Sequence, residues 1–136
     1  MMTLLLIAGC SLFAVSLVLP AYEGGGFLKI GGPGWRMLWL SAVLGSVGFV
    51  AMVREGNPRA PLCLLPLALN MLMLVLAALG LGALRGDGVK VLGGITLLSL
   101  GVVMAFLLLR CRGELRPGTF SWALAGLLLS VHALVA

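Results

Sequence analysis

Five long apolar runs, separated by four short connections, make up this chain. The runs cover approximately residues 3–19, 35–53, 60–84, 89–109 and 119–136. Helix needs about 17–25 residues to cross bilayer hydrocarbon, and each run meets that length. Apolar residues follow one another without alternation, so the ten-residue alternating segments of a membrane barrel are not the pattern here. The sequence predicts an all-α integral membrane protein: a five-transmembrane-helix bundle with short loops, in a single transmembrane domain over residues 1–136. Lys90 lies just inside the fourth run, where its long stem would snorkel to the surface.

The connections carry the punctuation expected between helices. Residues 21–34 read AYEGGGFLKIGGPG, with six glycines. REGNPR at 54–59 starts a turn at Asn57-Pro58, RGDG spans 85–88, and RCRGELRPG spans 110–118. None is long enough to fold as a separate domain, so extramembrane activity has no place to reside.

Composition strengthens this picture. The 136 residues are 62% hydrophobic and 10% charged, and mean hydropathy is +1.22. A soluble domain is about 45–50% apolar and about 25% charged. Soluble enzyme, secreted disulfide scaffold and disordered tail are thereby excluded. The net charge of +5 could suggest nucleic acid. Every Lys and Arg, however, sits at or beside the end of an apolar run, so the expected partner is membrane lipid and not nucleic acid. Arg54, Arg110 and Arg112 read as interfacial anchors, with Tyr22, Trp35 and Trp39 as an aromatic belt at one interface and Phe120 and Trp122 at the other.

Five consecutive crossings place the chain ends on opposite faces. Basic residues then divide five against four: Arg54, Arg59, Arg110, Arg112 and Arg116 oppose Lys29, Arg36, Arg85 and Lys90. The denser cluster marks the cytoplasmic side. That puts the N-terminus inside and the C-terminus outside.

Few side chains carry chemistry. Cys10, Cys63 and Cys111 form no CxxC pair and read as small apolar residues. IAGCS at 7–11 looks like a lipoprotein box, but the apolar run continues past Cys10 and no basic segment precedes it. His132 is the only histidine, and zinc would require three or four ligands. No catalytic residue, metal site or cofactor is expected. Asn70, the single amide inside a run, calls for an interhelical hydrogen bond, with a ligand or ion contact as the alternative. Pro66 should kink the same helix and free a carbonyl beside Asn70. Small residues four apart, including Ser41/Gly45 and Gly101/Ala105, allow helices to approach closely.

Leu19-Pro20-Ala21-Tyr22, Gly34-Trp35 and Asn57-Pro58 together resemble a pattern in small uncharacterised multi-spanning bacterial inner-membrane proteins. The resemblance covers about the first 60 residues and implies a bacterial plasma-membrane location, with no activity attached. The resulting expectation is a non-catalytic membrane protein: an accessory or assembly subunit, or an immunity-type interaction protein, associating with other subunits or with itself. The alternative is a small oligomeric channel or transporter.

Overall fold

The structure is a computed structural model that describes residues 1–23, 31–110, 113 and 115–136. Its elements are α1 (Met2–Val18), β1 (Pro20–Glu23), β2 (Gly31–Pro33), α2 (Gly34–Arg54), a 3-10 turn (Ala60–Leu64), α3 (Leu65–Leu81), α4 (Asp87–Arg110) and α5 (Pro117–Val135). Each of the five apolar runs has become helix. Four helical stretches are long and apolar enough to cross a membrane: Gly34–Arg54, Ala60–Leu81, Asp87–Arg110 and Pro117–Val135. α1 is shorter, at 17 residues, or about 26 Å of helix.

Packing partners give the helix directions. The Met2 carbonyl meets His132, Ser121 Oγ donates to the Leu12 carbonyl, and Gly118 lies against Leu19 and Pro20. α1 and α5 are therefore antiparallel. Asn70 bonds Trp122 and Gly80 lies against His132, so α3 runs with α5. Gly93 faces Ala133 and Gly126 faces Leu100, which makes α4 antiparallel to α5. The result is an up-and-down four-helix bundle of α1, α3, α4 and α5. Leu69, Met73, Leu76, Leu100, Leu129 and Ala133 form much of its core.

α2 is not one of those four helices, although it touches α1 and α3. It begins where α1 stops, and its second half packs on the 3-10 turn: Gly45 and Gly48 lie over Cys63, and Cys63 Sγ is 3.2 Å from Met52 Sδ. Since α3 leads from Cys63 towards Gly80, this turn lies at the α1 C-terminal end of the bundle. α2 consequently starts and finishes on one side. Residues 2 and 132 meet at the same end of the bundle, whereas five alternating crossings would separate the chain ends.

The cause is local and steric. Gly34 donates its N–H to the Leu19 carbonyl at 3.0 Å and leaves no room for a Cβ beside the Ser16 carbonyl. A two-stranded antiparallel hairpin ties the same connection, pairing Pro20 with Pro33, Tyr22 with Gly32 and Glu23 with Gly31. This hairpin departs from the purely helical expectation. Held this way, α2 sets off from the bundle end instead of returning alongside α1.

Pro66 also behaves differently from the sequence reading. It occupies the first turn of α3, where an N–H has no intrahelical acceptor anyway, and residues 60–64 before it are wound as 3-10 helix. A helix start replaces the expected mid-helix kink. α2 and α3 close alike: the N–H groups of Asn57 and Leu84 reach back to the Met52 and Leu79 carbonyls.

Gly34 yields a sharp expectation. A Gly34→Ala side chain would meet backbone, which cannot rotate away, so unfolding free energy should fall by about 2–3 kcal/mol. Gly101→Ala, with open space at its Cβ position, should be neutral or slightly stabilising. Denaturation in mixed micelles, followed by helical circular dichroism, compares the two.

Candidate functional site

Asn70 lies one turn inside α3, on the face that carries Leu69 and Met73 into the core, and is only 6% exposed. Trp122 lies in the second turn of α5, which runs alongside. Its indole Nε1 donates to Asn70 Oδ1 at 2.8 Å. An amide in apolar surroundings needs such a partner, and a direct interhelical bond of this kind contributes about 0.6–1.7 kcal/mol. Trp122 therefore differs from the interfacial anchor expected from sequence. It is half-buried, packed against the core, and bonded to an interior amide.

Around this pair lies a cavity of about 180 Å³. The ends of α1 and α4 and the beginnings of α2, α3 and α5 enclose it. Leu38, Val103 and Leu107 supply apolar wall, and Ser16, Ser41, Pro66 and Asn70 line it as well. The two serine hydroxyls are turned onto their own helices: Ser16 Oγ donates to the Phe13 carbonyl at 2.6 Å and Ser41 Oγ to the Leu38 carbonyl at 2.7 Å. The space is apolar, with an amide at its edge and, among the described residues, no ionisable group in its wall.

The structure brings Ser41, Pro66 and Asn70 together, and separates the other small residues named from the sequence. Gly45 is used internally: a Cβ there would lie 2.7 Å from the Cys63 carbonyl oxygen. Gly101 and Ala105 are exposed on α4, and nothing lies within 4 Å of a Cβ built on Gly101. Trp35, Trp39, Arg54 and Arg110 are exposed, within two turns of the ends of α2 and α4. Arg112, Cys111, Lys29 and the Tyr22 side chain lie outside the described residues. Phe120 is exposed, but at the same end of the bundle as Trp35 and Trp39, because the bundle has not alternated through α2. His132 is buried, and its Nδ1 is 3.0 Å from the Met2 carbonyl oxygen, joining the ends of α5 and α1.

Sequence reasoning missed two residues that shape this region. Gly34 and Gly118 read as loop glycines, yet they carry close backbone approaches, Gly118 with the Leu19 and Pro20 carbonyls. Each lies in the first turn of a helix, next to a proline. That placement was the available signal. Among the described residues, no group of three or more His, Cys, Asp or Glu could hold a metal ion.

The chain matches no protein-family model, no curated protein and no solved structure.

The Asn70–Trp122 bond is tested by a double-mutant cycle. Trp122→Phe strands the buried amide, and Asn70→Leu strands the indole N–H. Each should destabilise, and the double variant should lose less than the sum by about 0.6–1.7 kcal/mol. Strictly additive losses in mixed-micelle unfolding would show that the bond contributes nothing.

Proposed function

We propose that this chain is a non-catalytic multi-spanning protein of a bacterial plasma membrane, acting as an accessory or assembly subunit or an immunity-type interaction protein. The observation that carries the reading is how the helices spend their polar groups. Asn70, Trp122, Ser121 and His132 are engaged in joining helices, while Ser16, Ser41, Ser46 and Thr96 bond their own helix. What remains on the outside is apolar surface. Leu98 is 75% exposed, and Val102 and Phe106 accompany it along α4 beside Gly101 and Ala105. A soluble monomer rarely leaves such a face open, whereas lipid or a neighbouring helix covers it without cost.

Basic residues supply an orientation once the bundle's directions are known. Among the described residues, Arg36, Arg54, Arg59, Arg110 and Arg116 lie at the hairpin end, against Arg85 and Lys90 at the other. Positive charge favours the cytoplasmic side. The hairpin, α2 and the 55–59 turn then face the cytoplasm, with residues 3 and 136 both outside. This replaces the arrangement with ends on opposite faces.

Two measurements test the reading. In a cysteine-free background, an impermeant maleimide should label Thr3→Cys and Ala136→Cys on intact cells, but Glu55→Cys only after permeabilisation. Labelling of residues 3 and 136 from opposite faces would restore an odd number of crossings. Native mass spectrometry from lipid nanodiscs should show a complex, with Gly101→Leu weakening it while insertion is retained. A monomer with no associated protein in native membranes would end the accessory-subunit reading.

A further inference from the structure

We propose that the cavity beside Trp122 is a binding site for a carbonyl group carried on an apolar molecule, held by the Asn70 amide N–H. The proposal rests on the membrane reading above, which supplies such molecules as lipid esters and membrane-soluble quinones. It does not depend on the chain having a protein partner.

The indole group fixes the orientation of the amide. Indole nitrogen is a donor only, so the Asn70 atom facing Trp122 Nε1 has to be oxygen. The amide NH2 must then point away from the indole. No described residue accepts a hydrogen bond from it, although Asn70 is more than nine-tenths buried. Nor is that nitrogen sealed off: among the described residues, the only fully enclosed side-chain polar atom without a partner is Ser130 Oγ. The remaining open space beside Asn70 is the cavity it lines.

A donor without an acceptor, at the edge of an apolar space, selects its occupant. An anion finds no counter-charge there, because among the described residues no cationic side chain lines the wall. A pure hydrocarbon would leave the N–H unpaired. A neutral acceptor with apolar surroundings satisfies both, and a carbonyl is the acceptor that lipids and quinones carry. Size agrees as well: the cavity's roughly 180 Å³ slightly exceeds the ~150 Å³ engineered space that holds a benzene ring. A quinone ring, or an ester with its first few methylenes, fits that volume. The cavity is partly open, so the remaining chain has an exit.

Trp122 is placed to report on this site. With Trp35→Phe and Trp39→Phe it becomes the sole tryptophan. Decylubiquinone, titrated into delipidated protein in detergent, should quench its emission saturably. Native mass spectrometry with a diacyl phosphatidylglycerol forms the second arm, and a bound lipid that quinone does not displace assigns the site to the ester. Asn70→Leu should weaken binding at least about fivefold in whichever arm is positive, the loss of one hydrogen bond. Ser41→Leu, which fills the space and leaves the Asn70–Trp122 bond intact, should abolish it. Helical circular dichroism checks that each variant folds, and if Asn70→Leu does not, Ser41→Leu decides. Quenching that stays linear with no bound lipid, or binding that Ser41→Leu leaves unchanged, overturns the proposal.

Discussion

Backbone meets backbone where α1 ends, and much of the architecture follows from that contact. Gly34 sits against the Ser16 carbonyl, and Gly118 against those of Leu19 and Pro20. Three helix ends converge on one short stretch of chain, and any side chain at either glycine would have to displace a carbonyl. This convergence determines where α2 starts and in which direction it leaves. It also brings the first turn of α5 beside the end of α1, setting the antiparallel register that continues to Met2 and His132. The hairpin of β1 and β2 secures the same point from the other side.

In a bilayer, as proposed for this bundle, apolar packing alone would specify little, because leucine gains almost nothing by exchanging lipid for another leucine. Register comes from the few groups that cannot be left unpaired. Ser121 with Leu12, Trp122 with Asn70, and His132 with Met2 are spread along α5 from its first turns to its last. All three tie α5 to a neighbouring helix, α1 twice and α3 once. α5 is accordingly the most buried of the candidate membrane-spanning helices, and α2, which makes none of these bonds, is the least.

The helical runs were legible in the sequence because continuous apolar stretches of membrane length allow few other conformations. With the 3-10 turn counted into the third, the helical stretches begin and end within three residues of those runs. The path of α2 was not legible. Length and hydropathy qualify it as a span as readily as any other, and the information that diverts it lies in two glycines whose neighbours are distant in sequence or hidden in a loop-like context. Pro66 shows the same limit. A proline in an apolar run reads as a kink until the turn before it is known to be 3-10, after which it is a helix start. Asn70 was identifiable as a residue in need of a partner, but nothing in the local sequence pointed to Trp122, 52 positions away.

The charge pattern shows how fold changes the meaning of composition. Counted along a chain that alternates at every helix, the basic residues nearly balance and say little about orientation. Counted on this bundle, the asymmetry becomes clear, because α2 returns Arg54 and Arg59 to the side that already holds Arg36, Arg110 and Arg116. The same excursion gathers Trp35, Trp39 and Phe120 at that end. Cationic stems and large aromatic rings are the residues that headgroup regions favour, so clustering them at one end makes the two ends chemically unlike. The cavity opens among these helix ends and not in the tightly packed half near Gly80 and Gly93, where neighbouring side chains crowd both glycines. With the bundle in a bilayer as proposed, a molecule with a polar carbonyl and an apolar tail would meet the cavity near the helix ends, where such molecules carry their own polar groups.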